Sequence, residues 1–380
     1  MKRMFWICLF VLGLMVSWSV AYADGEFYVI AAGKKAKRTV LVSPKSTAAE
    51  SGTALLHALS KITDASVAMP YLIIIEPGIY DIGSSALQMK SYVDIQGSGE
   101  NVTKITGTID TLDSGVVTGA NNAEIRFLTI ENTGGGEYAI GFYTNMANAL
   151  MTHITSKASG ATNNYGVRIY DSSPIMTNVT ATASGGDHAR GVFNESSAPK
   201  MDNVTAKASG ATTANYGVLN KGCSAIMTNV TAKASGGGHA RGVFNSESSS
   251  PVMNNVTAKA SGATTNHGVD NYTSSPVMNN VTAEASGGSY SYGVINSTNA
   301  NPVMTNVIIE ASAAGTTNIG VYNIGSSTVK IDHSVITCAD KTVQNDVTSS
   351  SFIAYTRLDG GDAYGSCTCI GVYDENYLSY

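Results

Sequence analysis

Charge is scarce in this chain. Only 13% of its 380 residues are Asp, Glu, Lys or Arg, and the formal net charge is −5. A nucleic-acid surface needs concentrated basic residues, so no nucleic-acid partner is expected. Helical patterning is scarce as well. Between about residue 120 and residue 335 no segment combines helix-forming composition with a 3.6-residue apolar period, and Gly and β-branched residues interrupt every stretch. Past the N-terminus no apolar run is long enough to span a bilayer. Cysteine is sparse, and Cys367-Thr368-Cys369 has no second ligand pair at finger-like spacing. No metal site and no cofactor are expected.

The N-terminus has a different character. Met1-Lys2-Arg3-Met4 is basic, Phe5 to Val20 is apolar, and Ala21-Tyr22-Ala23 has a small-x-small cleavage pattern. Residues 1–23 read as a secretory signal peptide cut after Ala23. Cys8 lies too early to be a lipid-attachment cysteine. The mature chain is expected to be secreted, extracellular or periplasmic or at the cell surface, and not membrane-spanning. Four cysteines remain: Cys223, Cys338, Cys367 and Cys369. Export permits a disulfide. Cys338 with Cys367 or Cys369 is the expected pairing, with Cys223 buried or free, although four cysteines allow three full pairings.

What the chain has in abundance is self-similarity. A Met-x-Asn-Val core recurs at Met176, Met201, Met227, Met253, Met278 and Met304, with a degenerate first copy at Met151-Thr152-His153-Ile154. The step is 25 or 26 residues. Gly-Val keeps the same step at Gly166, Gly191, Gly217, Gly242, Gly268 and Gly293, with Gly320 one residue later than that step. Each repeat holds three short apolar pieces. In one of them Val256, Ala258 and Ala260 alternate with Thr257 and Lys259, which is strand periodicity. Repeats of this length fit neither helical-hairpin nor leucine-rich architectures.

Three strands per repeat make one coil of an all-β, single-stranded, right-handed parallel β-helix, a three-sided solenoid whose coils stack at the strand spacing of about 4.8 Å. The methionines then form an internal ladder, for which an unbranched, adaptable side chain suits. Asn178, Asn203, Asn229, Asn255, Asn280 and Asn306 form a ladder at a turn, where Asn tolerates the left-handed conformation. Asn194, Asn220, Asn245, Asn271, Asn296 and Asn323 form another. Several of these lie in Asn-x-Ser/Thr sequons, but the structural role suffices to explain them.

An open stack exposes core and unpaired backbone at its ends. Ser51 to Ile62 has helical spacing and reads as a short N-terminal capping helix. Boundaries are expected at 24–120 for the cap and first coils, 121–335 for the regular repeats, and 336–380 for the C-terminal coil and cap.

The helix, the pair IIIEPGIYDI (73–82) and VDIQGSGENVTKITG (93–107) resemble the opening coils of the pectin lyase-like superfamily, pectin methylesterases in particular. With the repeats, the likeness covers about residues 40 to 335. It implies the fold. It leaves activity open, because the superfamily holds lyases, hydrolases, esterases and non-catalytic proteins.

The enzymes of that superfamily carry clustered charge on adjacent coils. Here Asp187 has Thr or Asn above and below, Asp202 lies between Thr177 and Thr228, and Glu195 and Glu247 are two coils apart. No catalytic residues are assigned. The candidate binding residues are Lys207, Lys233 and Lys259, at one outward strand position shared with Lys157, together with His188, Arg190, His239 and Arg241 in loops that recur every 51 residues or so. A cationic strip beside His and Arg could hold an acidic polysaccharide or cell-surface glycan. Solvated surface copied by duplication explains the same residues. The expectation is an exported, non-catalytic scaffold, surface-adhesive or polysaccharide-contacting. The alternative is a pectin-type esterase or polysaccharide lyase.

Overall fold

A computed structural model describes residues 19–23, 26–30 and 38–379. The signal peptide expected over residues 1–23 falls mostly outside them. Backbone strands Ser19–Ala23 and Glu26–Ile30 pair antiparallel, and the second pairs antiparallel with Arg38–Val42. From there every strand pairing between coils is parallel. No helix among the described residues is long and apolar enough to cross a membrane.

The chain is a right-handed parallel β-helix with three faces. The first two belong to one 25-stranded sheet, and the third is a separate 12-stranded sheet. The first coils have separate strands on the two faces, such as Val93–Gln96 and Thr103–Gly107, and in the next four coils single strands such as Ile175–Ser184 and Lys200–Ser209 run across both. From residue 226 onward each splits in two, as in Ile226–Thr228 and Thr231–Ser235. The split falls at the asparagine corner. Asn178, Asn203, Asn229, Asn255, Asn280 and Asn306 all have φ of 53–55°. An asparagine tolerates this left-handed region better than most non-glycine residues, which fixes the bend. Phe127 and His153 continue the corner at one end and His333 and Tyr355 at the other, each pair in ring contact.

The ladders stack in register. Met151, Met176, Met201, Met227, Met253, Met278 and Met304 face each other across successive coils and are at most 1% exposed. Ile331 and Ile353 extend this line. The other asparagine ladder lies inside the third face. Asn194, Asn220, Asn245, Asn271, Asn296 and Asn323 each donate Nδ2 to the next Oδ1 at 2.8 Å, and the run ends on Asn345. All but the last are fully buried.

The helix spans Ala48–Lys61, three residues earlier than periodicity alone places it, because Thr47 and Glu50 form a capping box. It buries Leu55, Ala58 and Leu59. Gly52 is where it meets the first coils: a Cβ there would lie 1.9 Å from the Asp81 carbonyl oxygen. Gly52→Val should therefore lift the helix off the strand Gly78–Asp81. Overpacking typically costs about 1–3 kcal/mol, and a clash with backbone sits at the upper end. Equilibrium denaturation would show it, with Thr53→Val, at an exposed position of the same helix, as the control for the helix alone.

The cysteine expectation needs correction. Cys367 and Cys369 are bonded to each other, and Cys338 and Cys223 are buried and free. Cys338 ends a second-face strand, in register with Ala311 and Gly360. Cys367 and Cys369 lie on a first-face strand paired with Ser350–Ala354. Residues two apart on a strand share a side, and their Cα atoms are 6.0 Å apart, within disulfide reach.

Candidate functional site

The lysines lie on the second face. Lys157, Thr182, Lys207, Lys233, Lys259, Glu284 and Glu310 occupy one outward line in unbroken register. The buried alanines Ala206, Ala232 and Ala258 alternate with the lysines and point inward. Lys259 pairs with Glu284 at 2.6 Å. Lys207 and Lys233 are exposed and form no ion pair with a described residue. Adjacent like charges at strand spacing repel one another. Threonine lines them on one side, Thr205, Thr231 and Thr257, and serine on the other, Ser209, Ser235 and Ser261.

His188, Arg190, His239 and Arg241 lie elsewhere, on the third face. The second and third faces meet back to back. A Cβ on Gly217 would lie 2.7 Å from the backbone nitrogen of Lys233 and 2.6 Å from the Gly242 carbonyl oxygen. Only glycine fits between them. Arg190 and Arg241 each precede such a glycine, Gly191 and Gly242, and point away from the core, so the structure puts the lysines and the His/Arg set on different outer surfaces. The single combined strip does not form.

These glycines do a second thing. The third-face register skips each of them: Tyr216 pairs with Arg241 and Val218 with Val243, leaving Gly217 and Gly242 out of the ladder. Each shifts the in-out alternation of its strand by one residue, opposite the same shift in the next coil, and so re-aims its neighbours. Residues i and i+3 then meet on the outer surface, where simple alternation would put them on opposite sides. Arg190 lies 5.8 Å from the centre of Phe193, and Arg241 4.8 Å from that of Phe244. His267 meets Asp270 at 2.8 Å.

Along the solenoid axis these pairs join into a stack. Tyr165 and Phe193 stack at 5.9 Å, Tyr216 and Phe244 at 5.7 Å, and Tyr292 and Tyr322 at 5.6 Å. Arg168, Arg190 and Arg241 insert between rings. The ring faces are used up against each other, so this surface offers sugars edges and guanidinium groups rather than open stacking platforms. Arg241 Nε donates to Asp270 at 2.6 Å, and both side chains are largely buried. Burial alone would raise the Asp270 carboxyl, but His267 and Arg241 outweigh it and hold it below its ordinary value. Burial, then Arg190, lowers His188; burial, then Arg241, lowers His239.

A shallow groove of about 590 Å³ runs along the turns that leave the third face, lined by Asn148, Asp171, Ser173, Ser196 and Ser224 among others. Beside it Lys221 bridges Glu195 at 3.0 Å and Glu247 at 3.5 Å. The two carboxylates left two coils apart by the repeat are thus joined through one lysine. Among the described residues no three His, Cys, Asp or Glu side chains stand close enough to hold a metal ion.

No protein-family model matches the sequence, and no curated protein matches it either. Solved structures do. The A-module of the mannuronan C-5 epimerase AlgE6 of Azotobacter vinelandii superposes with a TM-score of 0.55 at 13% identity, over 85% of this chain and 95% of the module. The catalytic domain of a GH87 α-1,3-glucanase, in complex with tetrasaccharides, gives 0.54 at 14% identity, over 89% of this chain and 66% of that one. The Dettilon tailspike protein gives 0.52 at 8% identity, over 87% and 68%. At these identities the likeness is one of fold. The chain is a right-handed parallel β-helix, and the structures it superposes on include an epimerase module and a glucanase domain.

Proposed function

We propose that the chain is an exported, non-catalytic β-helix that contacts acidic polysaccharide through the lysine strip of its second face. The observation that carries this is the register of Lys207 and Lys233. Two exposed, unpaired ammonium groups are held one strand apart, flanked by hydroxyls, at a cost in mutual repulsion that a polyanion lying along the axis would relieve. The other charges on the outer faces favour a non-catalytic reading. Glu131, Glu195, Asp270 and Glu284 are each held in an ion pair with a cation of the same surface, Glu284 by Lys259 even though Glu310 follows it in register, and this supports the non-catalytic reading. The fold neighbours named for an epimerase and a glucanase support a glycan as the partner class.

The test is binding and turnover of the purified chain on polygalacturonate, alginate and neutral glycans across a salt series. Salt-sensitive binding to the acidic polymers is expected. Each exposed lysine contributes at most about 1 kcal/mol, so Lys207→Ala with Lys233→Ala should weaken binding by up to about thirtyfold. Release of methanol or of unsaturated product would overturn the non-catalytic reading in favour of a pectin-type esterase or lyase. Unchanged binding in the double variant would remove the strip from the account.

A further inference from the structure

The sequence unit of two coils appears twice on the third face, and the two copies differ at one decisive place. In the later copy Arg241 has His267 and Asp270 in the next coil, in register with Arg241 and Phe244. The Asp270 carboxylate lies 2.6 Å from Arg241 Nε. In the earlier copy Arg190 and Phe193 have Tyr216 and Leu219 in those positions. The guanidinium of Arg190 has kept its setting. It lies over Tyr165, Phe193 and Tyr216 at 4.9–5.8 Å. It has no such counter-ion. No described carboxylate lies within ion-pair distance of it, and its one side-chain bond is to Asn163 Oδ1 at 3.5 Å. Nε of Arg190 and Nδ1 of His188, two residues along the same strand, are both buried without a partner. The other arginine of the stack, Arg168, is also neutralised, by Glu195 at 3.4 Å. The nearest acid to His188, Asp187, accepts from Thr212 Oγ1 at 2.9 Å.

We propose that Arg190, with His188 and Asn163 beside it, is a binding site for one carboxylate supplied from solvent. The Arg241–Asp270 pair is the internal version of the same complex: it shows that an arginine held between aromatic rings on this face takes a carboxylate at hydrogen-bond distance. Guanidinium groups suit carboxylates through their fixed donor geometry, and the surrounding rings reduce competition from water. The site is on a different face from the lysine strip and stands whether or not that strip binds a polymer.

Acetate and galacturonate are the probes, each titrated against the full chain by NMR or calorimetry, with galactose as the uncharged control. One carboxylate per chain should bind, and galactose should not. If galacturonate binds more tightly than acetate, the source is an acidic sugar; equal affinity makes it a simple carboxylate. Arg190→Gln should weaken either by about tenfold or more. Leu219→Asp restores the internal counter-ion and should abolish binding while leaving Arg190 in place, whereas Leu219→Asn should retain it. Binding that survives both Arg190→Gln and Leu219→Asp, or the absence of carboxylate binding to a folded wild-type chain, would overturn the proposal.

Discussion

Asn245→Ala should be among the most destabilising single substitutions in the repeat region. Asn245 sits near the middle of the buried amide ladder. It accepts from Asn220 and donates to Asn271, both at 2.8 Å, and it is fully buried. Removing its amide strands a donor above and an acceptor below. Each unpaired buried group costs about 1–3 kcal/mol, to which the lost volume adds. The top of the same ladder provides the comparison. Asn194 has Ile169 in the coil before it, and its Oδ1 already lacks a partner. Asn194→Ala strands only the acceptor of Asn220 and should cost clearly less. Denaturation midpoints of the two variants, measured side by side, decide this. Equal losses would mean that the ladder fills space and that its hydrogen bonds contribute little.

The ladders were legible in the sequence because a solenoid converts a repeat into a stack. Once Met-x-Asn-Val and Gly-Val were seen to keep one step, the residues above and below each position followed, and the register of Met, Asn and Lys agrees with that counting. What was not legible depends on geometry within a coil. Gly-Val read as a strand piece hides the shift in alternation, because that shift leaves no mark in a repeat that shifts at every coil. Alternation puts His267 and Asp270 on opposite sides; the shift at Gly268 puts them in contact. A signal was present. The residue before each glycine runs Tyr165, Arg190, Tyr216, Arg241, His267, Tyr292, and the one three further on runs Arg168, Phe193, Leu219, Phe244, Asp270, Ile295. Two lines of large aromatic and charged residues in a chain otherwise built from Ser, Thr, Asn, Gly and Ala mark a packed outer surface. The separation of the lysines from the arginines was hidden for a similar reason. Neighbours in sequence across a glycine loop belong to different faces, and only the back-to-back fit of Gly217 against Lys233 shows it.

The same outer surface carries the second large effect. Asp270→Ala leaves Arg241, largely buried under Phe244 and Tyr216, without its counter-ion. Breaking one side of a buried pair costs about 3–5 kcal/mol, whereas replacing both partners by apolar residues is often close to neutral. Arg241→Leu with Asp270→Leu should therefore be markedly more stable than Asp270→Ala, much as Leu219 is accommodated at the matching position one unit earlier. The pair also predicts a pH dependence. The folded-state pKa of Asp270 is held below its ordinary value, so its contribution is fully present above the unfolded-state pKa of about 3.9 and is lost as pH falls through the lower folded value. Stability of the wild-type chain should decline on acidification below about pH 4, and Asp270→Asn, which does not titrate, should give a flatter profile in that window. Parallel profiles for the two proteins would show that His267 and Arg241 gain nothing from the charge on Asp270. In that case the arginine stack would be held by its aromatic neighbours alone.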